Sequence, residues 1–186
     1  RRRKNPRGRR LEGPLYVGSH SWIMGGAVRH SVIGPHCRVH GELATTVMLG
    51  YANKSHDGFV GHSVLGQWVN LGAGTITSNL KNTYGPIRLD LPGGRIETGR
   101  TLLGSLIGDH AKTGIGALLS TGTVVGPGAN VIAGKVPRYV RPFAWDHNET
   151  LSRDGFLTIA RRVMPRRGVE VTAQLEAALA ALYDRF

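Results

Sequence analysis

Cysteine, aromatic residues and long apolar runs are all scarce in this chain. Cys37 is the single cysteine among 186 residues, which excludes an internal disulfide and agrees with a reducing compartment. Aromatic residues make up 6% of the chain, so few bulky side chains are available to fill a core. No uninterrupted apolar stretch is long enough to span a bilayer, and no signal segment is recognisable. We therefore expect a cytoplasmic protein without a membrane partner.

Acidic residues are also few, and the excess of positive charge is concentrated at one end. The chain has 24 Lys and Arg against 12 Asp and Glu, a formal charge of +12. Residues 1–10, RRRKNPRGRR, hold much of this excess and contain no side chain that could pack in a core, so we predict a basic tail or linker there. The abrupt start without Met leads us to expect the C-terminal part of a longer protein. Nucleic-acid binding is not favoured, because no basic surface interleaved with aromatic residues follows.

Glycine is abundant instead, and a short repeat accompanies it. The 27 glycines often follow an aliphatic or small residue that recurs at every sixth position. The clearest run is Ile107, Thr113, Leu119, Val125, Val131 and Pro137. Small residues lie four positions after members of this run, at Ala111, Ala117, Thr123 and Ala129. This spacing predicts a parallel β-helix, in which each hexapeptide forms a strand and a turn on one wall of a triangular prism.

The repeat extends backward and sets the expected domain organisation. Earlier members are Val17, Ile33, Val39, Leu65 and Leu71. We predict a β-helix domain over residues 11–146, interrupted by a protruding loop at 77–100, where polar residues, Gly and Pro break the repeat. Apolar residues at helical spacing then predict a helical appendage over 147–186 that caps or clasps the prism. Its two stripes are Phe156, Ile159, Ala160, Val163 and Val171, Leu175, Ala178, Leu179, Leu182.

Several longer words in the sequence carry a family resemblance. NKSHDGFVGHSVLG, WVNLGAGTITSNLKNTYG and GDHAKTGIG resemble the acetyltransferase domain of the bifunctional N-acetylglucosamine-1-phosphate uridyltransferase and glucosamine-1-phosphate N-acetyltransferase family. They look most like its sugar nucleotidyltransferase-like branch, as does RRVMPRRGVEVT in the tail. The resemblance implies a left-handed β-helix, a handedness that general rules for parallel crossovers would not predict. It also implies acetyl transfer from acetyl-CoA to the amine of glucosamine-1-phosphate or a related amino sugar phosphate, in the synthesis of cell-wall precursors.

The catalytic candidates follow from that resemblance and from the chemistry it requires. Attack of an amine on a thioester needs a base for the amine proton and donors that face the thioester oxygen. His56 matches the family's catalytic histidine, and an imidazole can hold a proton transiently at neutral pH. Glu42 matches the carboxylate that holds this histidine, with Asp57 as a local competitor. Asn79 matches a residue near the acetyl group. A structural ladder of asparagine side chains along the stacked coils is the alternative for both Asn70 and Asn79.

Substrate contacts are expected from four further positions. Asn70 and Phe59 match residues that meet the sugar, while Lys54 and Lys81 are local cations that could meet its phosphate or could be solvated surface lysines. The chain also departs from the family here. Phe59 replaces a substrate-contacting Tyr, and Gly26 and Ala44 stand where the family places a phosphate-binding Arg and Lys.

The resemblance further implies a coenzyme groove between neighbouring prisms in a homotrimer. Its expected residues are Ala73, Gly74, Gly114, Ala133 and Lys135, with Lys112, Arg138 and Arg141 as further partners for the coenzyme's phosphates. No resident metal is predicted.

Two alternative functions use the same prism. A carbonic-anhydrase-like hexapeptide protein would bind a metal through three histidines, for which His56, His62 and His110 are available. A non-enzymatic scaffold or nucleic-acid-binding β-helix would depend on residues 1–10 instead. The Gly-rich nucleotide loop of a nucleotidyltransferase has no counterpart in this sequence.

Overall fold

The structure is a computed structural model that describes residues 8–132, 134–146 and 148–186. It consists of short parallel strands that coil into a three-walled prism, followed by two helices. The predicted parallel β-helix and C-terminal helix pair are confirmed, and the geometry is consistent with the left-handed form. Neither helix of the described part of the chain combines the length and apolarity needed to cross a membrane.

Each wall is a parallel sheet whose strands come from successive coils. Wall A contains β1, β4, β7 and β10, and is continued by the pair β13 and β18, since β10 packs against β13. Their bounds are Arg9–Glu12, Gly26–Arg29, Glu42–Ala44, Phe59–Gly61, Ile76–Thr77 and Leu118–Leu119. Arg9 and Arg10 pair with Gly26 and Ala27, so the prism begins inside the predicted tail, whose residues 1–7 lie outside the described part.

Walls B and C complete the prism. Wall B contains β2, β5, β8, β11, β16, β19 and β21, at Tyr16–Val17, Val32–Ile33, Val47–Met48, Val64–Leu65, Leu106–Ile107, Val124–Val125 and Tyr139–Val140. Wall C contains β3, β6, β9, β12, β17, β20 and β22, at Trp22–Ile23, Arg38–Val39, Asn53–Lys54, Asn70–Leu71, Lys112–Thr113, Asn130–Val131 and Ala144–Trp145. The antiparallel strand β23, Glu149–Thr150, ends wall C.

The second residue of most two-residue strands faces the interior, which explains the six-residue period. Ile33, Leu65, Val125 and Val131 are each at most 1% exposed, as the repeat predicts. The prediction is wrong for Pro137, which is exposed while Val136 is 2% exposed. The Val136 amide donates a hydrogen bond to the Leu118 carbonyl of the neighbouring strand, and proline has no backbone N–H that could make this bond. The register therefore shifts by one residue in the last coil.

The corners are built from residues with left-handed backbone. The corner between walls B and C places His36, Tyr51, Trp68 and His110 at φ of 57°, 52°, 62° and 60°. Their rings stack along the prism, with centroid separations of 4.6 Å for His36 and Tyr51 and 4.3 Å for Tyr51 and Trp68. This column of rings, which we call the ring ladder, gives the C-terminal helices an apolar surface on which to pack.

The helices α1 (Arg153–Val163) and α2 (Ala173–Tyr183) cover the end of the ring ladder. Each begins at a side-chain cap, Ser152 or Thr172, that accepts from a backbone amide of the first turn. Phe156 meets His110 edge to face at 5.4 Å and packs beside Phe143. The appendage therefore clasps the prism at the corner between walls B and C.

The chain leaves the prism after β13 and returns at β16. The excursion overlaps the predicted loop, and it contains an antiparallel hairpin of β14 (Arg88–Leu91) and β15 (Gly94–Glu97) that the sequence pattern did not predict. Ile87 anchors it, with no exposed surface. The excursion lies beside wall B, where β14 contacts β19 and the Arg138 side chain donates to the Arg88 carbonyl.

Candidate functional site

His56 lies at the corner between walls C and A, and its side chain is exposed. The corner follows β9 and precedes β10, which carries Phe59. Gly58 completes the turn at φ 128°, where a Cβ would lie 2.2 Å from the Thr75 carbonyl oxygen. The close stacking of coils therefore fixes the backbone around His56.

Lys54 supports this corner from inside. Its side chain is 2% exposed, and Nζ donates to the carbonyl of His40 at 3.0 Å and to the carbonyl of His56. Burial lowers the pKa of Lys54 to about 8, while the charge of Asp57 raises it. An interior ammonium does not meet a ligand directly, so this placement does not fit the predicted contact with a sugar phosphate. It fits a role in holding the His56 backbone.

The expected carboxylate partners of His56 are engaged elsewhere. Glu42 accepts a hydrogen bond from Arg29. In the strand register Glu42 lies beside Ala27, and Arg29 is two residues further along that neighbouring strand. Asp57 lies 3.2 Å from Nδ1 of His40. Among the described residues no hydrogen bond joins Glu42 or Asp57 to His56. The parallel register explains the difference, since it places Arg29 and Glu42 on the same face of wall A.

Wall A carries a cavity of about 560 Å³, and Phe59, three residues after His56, is part of its lining. It brings together Phe59, Asn79 and Lys135, which are far apart in the sequence and were predicted as substrate, catalytic and coenzyme residues. In the strand register Glu42 lies beside Phe59, and Leu118 lies beside Lys135. Their side chains therefore form one outward-facing column on wall A. The remaining lining residues are Ile76, Thr77, Ser78, Leu118, Leu119 and Ser120.

Gly61 makes room for the aromatic ring in this cavity. A Cβ at Gly61 would lie 2.3 Å from Cζ of Phe59 and 3.1 Å from Nδ2 of Asn79. The Phe59 ring therefore lies across Gly61 and against the amide of Asn79. Any side chain at residue 61 would displace one of the two.

His62 is a site residue whose role the sequence did not reveal. Its Nδ1 accepts a hydrogen bond of 2.7 Å from Nδ2 of Asn79. Because Nδ1 accepts, the neutral ring carries its proton on Nε2. Burial lowers the pKa of His62, which favours that neutral form. His62 and Asn79 are seventeen positions apart, so the sequence pattern alone does not predict this hydrogen bond.

The predicted coenzyme residues follow the corner between walls C and A. The Ala73 carbonyl accepts from the Gly116 amide at 2.8 Å, and Gly74 donates to the Asp57 carbonyl at 3.2 Å. Gly114 packs so closely that a Cβ would lie 1.5 Å from the Ile132 carbonyl oxygen. Lys135 is exposed at the far end of the cavity, and Ala133 lies outside the described residues.

Asn70 and Lys81 lie apart from the wall A cavity. Asn70 is on the outer face of wall C, where Oδ1 accepts from Nδ2 of Asn53 at 3.1 Å, and it lines a different cavity. This pair is the structural asparagine ladder that the sequence left open. Lys81 donates to the Pro86 carbonyl and lines a neighbouring cavity that shares Ser78 and Ser120 with the first.

The surroundings of two of the three departures, Gly26 and Ala44, are seen in the structure. Gly26 has φ 80°, and a Cβ there would lie 2.0 Å from the Gly41 carbonyl oxygen, so this backbone cannot hold an arginine. Ala44 is 9% exposed and pairs with Arg29 on one side and Gly61 on the other. Arg29 is therefore the cation of β4 nearest to that position, and the sequence analysis did not single it out.

The histidines of the alternative metal site are not gathered. His56, His62 and His110 lie at three different corners, and His110 is 6% exposed beneath α1. Within residues 8–132, 134–146 and 148–186, no group of three or more His, Cys, Asp or Glu side chains could hold a metal ion. The structure does not bring these three side chains to one place.

A parallel β-helix with a cavity on one wall can support many different activities, so the fold alone does not define the class of protein. No protein-family model matches the chain. A search of curated proteins confirms the resemblance seen in the motifs. The chain is 35% identical over 95 residues to a bifunctional sugar-1-phosphate nucleotidylyltransferase/acetyltransferase of Sulfurisphaera tokodaii, a match to 51% of this chain and 24% of that protein.

Proteins named bifunctional protein GlmU are similar as well. The one from Methanococcus vannielii is 34% identical over 98 residues, which is 50% of this chain and 23% of the relative. The one from Trichodesmium erythraeum is 32% identical over 108 residues, or 57% of this chain and 19% of the relative. The matched part of the chain thus spans about a quarter or less of the length of these relatives. Similarity to bifunctional nucleotidyltransferase and acetyltransferase proteins supports a transferase class.

Proposed function

We propose that the chain transfers an acetyl group from acetyl-CoA to the amine of glucosamine-1-phosphate or a related amino sugar phosphate, as part of a longer sugar nucleotidyltransferase-like protein. The observation that carries this proposal is the wall A cavity, which gathers Phe59, Asn79 and Lys135, with the exposed His56 three residues before Phe59 at the preceding corner. The name of the Sulfurisphaera tokodaii relative includes acetyltransferase, which supports the same reaction.

His56 is the proposed base. The neutral amine of the sugar attacks the thioester carbonyl, and His56 takes the proton that the nitrogen loses as the C–N bond forms. The C–S bond then breaks, and the imidazolium gives its proton to the departing sulfur, so that coenzyme A leaves as the thiol. The corner supports this role because Lys54 holds the His56 carbonyl while the imidazole stays open to solvent. Glu42 becomes a partner for His56 only if ligand binding releases it from Arg29.

Asn79 is the proposed donor to the thioester oxygen. Its side-chain amide has two N–H donors, and the bond to His62 uses one. The second is free to stabilise negative charge on the carbonyl oxygen as the amine attacks. Phe59 supplies an apolar surface for the sugar, and Lys81 lies in the adjoining cavity as a cation for its phosphate.

Coenzyme A is placed along Ala73, Gly74 and Gly114 toward Lys135, with a neighbouring prism forming the other side of the groove. An apolar column on wall B supports assembly of prisms, because Tyr16, Val32 and Val64 are 60%, 45% and 40% exposed. We propose a homotrimer on this basis and on the resemblance. A cytoplasmic setting, where acetyl-CoA is made, completes the proposal.

A steady-state assay of acetyl transfer with several amino sugar phosphates tests this function. We expect His56→Ala to lower kcat at least about a hundredfold, in line with the loss of a general base, with little change in the far-UV spectrum. Exposed His30, on another corner, provides the matched control: His30→Ala should keep wild-type turnover. Unchanged turnover in His56→Ala would overturn the mechanism, and absence of turnover with every acceptor would overturn the function.

A further inference from the structure

A second cavity, of about 380 Å³, lies between wall C and the turn that follows α1. That turn is a 3-10 helix, Pro165–Arg167. The cavity is lined by Arg38, Lys112, Arg166 and Arg167 together with Asn53, Asn70, Tyr51, Trp68 and Val163. We call it the basic cavity. It is separate from the wall A cavity, with which it shares no lining residue.

The charge of the basic cavity is one-sided. Four cationic side chains line it, and the lining contains no Asp or Glu. Within the described part of the chain, no salt bridge joins Arg38, Lys112, Arg166 or Arg167 to a carboxylate. Arg29, Arg153 and Arg161, in contrast, each have an acidic partner. The four cations are therefore brought together without a counter-charge from the protein.

Neutral groups hold two of these cations in place. Arg167 donates from Nη1 to the His36 carbonyl at 3.0 Å and from Nη2 to Oδ1 of Asn53. Lys112 donates to the His110 carbonyl at 2.8 Å. Each cation keeps further N–H donors, since guanidinium has five and ammonium three. The site is thus preorganised, with donors left over for a ligand.

The cations of the basic cavity also repel one another. Burial lowers the pKa of Lys112 to about 8. Burial, and next the charge of Arg38, lower the pKa of Arg167. A bound anion would offset both effects. Its negative charge would stabilise the charged forms of Lys112 and Arg167, and it would reduce the repulsion between the cations.

The shape of the basic cavity restricts the ligand. Tyr51 and Trp68 stack on each other at 4.3 Å, so their faces are occupied by the ring ladder and are not offered to a nucleobase. The remaining polar groups are the paired amides of Asn53 and Asn70, which suit hydroxyl groups or phosphate oxygens. We propose that the basic cavity binds a compact phosphorylated compound that carries at least two negative charges, through Arg38, Lys112, Arg166 and Arg167. The basic cavity is separate from the wall A cavity within the described chain, because none of the four cations lines the wall A cavity.

Titration calorimetry of the full chain with pyrophosphate tests the site. We expect saturable binding that weakens more than about tenfold in the variant Arg38→Ser/Arg166→Ser, because the variant loses two charge-assisted contacts to the phosphate groups. Both side chains are exposed, so the variant should keep the wild-type fold. Arg162, an exposed arginine of α1 outside the basic cavity, provides the control: Arg162→Ser should bind as wild type does. His56→Ala should also bind normally, which separates this site from acetyl transfer.

Parallel titrations identify the source of the phosphate. Glucose-1-phosphate and inorganic phosphate should compete with pyrophosphate, whereas glucose and uridine should not. Raising salt from about 50 to about 300 mM should weaken pyrophosphate binding, because screening acts on the charged contacts; this measurement tests the site even if the double variant misfolds. No pyrophosphate binding, equal binding to the double variant, or tighter binding of uridine than of phosphate would each overturn the proposal.

Discussion

Asn79 donates a hydrogen bond of 2.7 Å from its Nδ2 to Nδ1 of His62, across the corner between walls A and B. The bond orients the amide at the wall A cavity, which Asn79 lines. It exists only while His62 is neutral, because a protonated imidazole has no acceptor. His62 is therefore a positioning residue for Asn79.

Replacing His62 should impair catalysis more than folding. We expect His62→Phe, which keeps a ring but loses the acceptor, to lower kcat about fivefold with a smaller change in KM, in line with one lost hydrogen bond of about 1 kcal/mol. His62→Asn should retain more activity, because its side-chain oxygen can accept and Asn tolerates the positive φ of this corner. Steady-state kinetics measure the difference, and equal activity of the two variants would contradict the positioning role. His30→Phe, at the same corner in an earlier coil, is the control.

Lys54 should contribute to stability through the His40 and His56 carbonyls. Lys54→Met keeps the length of the side chain but leaves two interior acceptors without this donor, so we expect the free energy of unfolding to fall by about 1–3 kcal/mol in urea titrations at neutral pH. The loosened corner should also lower kcat. Wild-type stability with unchanged kcat would show that Lys54 only fills space.

The pH dependence of the same variant gives an independent check. The pKa of Lys54 is about 8 in the folded chain and about 10.4 in an unfolded one, so between these values the unfolded chain binds more protons. Its contribution to stability therefore rises as pH increases through this window. Lys112, with a pKa of about 8, adds a rise of the same sign. Lys54→Met should show a smaller rise than wild type in urea titrations across the window.

His110 should make the fold sensitive to acid. Burial, and next the charge of Lys112, lower the pKa of His110 to about 3, whereas an unfolded histidine titrates near about 6.5. Between these values the unfolded chain binds more protons, so stability is lost as pH falls. At pH 5 this loss should be about 2 kcal/mol relative to pH 7.

A ring without a titratable group separates this effect from other acid effects. His110→Phe keeps the contacts to Trp68 and Phe156, so we expect thermal unfolding to depend less on pH between about 4 and about 6.5 than in wild type. His20, an exposed residue at the start of the ring ladder, provides the control, and His20→Phe should follow the wild-type curve. An identical pH dependence in His110→Phe and wild type would remove His110 as the cause.

The wall A cavity shows which part of the candidate site the sequence motifs predicted. Phe59, Asn79 and Lys135 were each predicted from the resemblance, and the structure gathers them at one cavity. The same motifs placed Asn70 beside the substrate, and Lys54 was a candidate as a local cation, yet Lys54 occupies an inward position of wall C and Asn70 an outward one. A motif identifies residues that recur in a family. Successive side chains of a strand point to opposite faces of the sheet, and this alternation decides which face each side chain takes.

The sequence by itself determined the parallel β-helix, because a six-residue period of aliphatic and small residues can be buried only by stacking coils. It also determined the helix pair, through apolar stripes at helical spacing. Only the tertiary structure decided that Glu42 pairs with Arg29, that His62 holds Asn79, and that Arg38 and Arg167 meet in the basic cavity. These contacts join neighbouring coils, or join the appendage to a wall. Their formation depends on register and docking, which local sequence patterns do not encode.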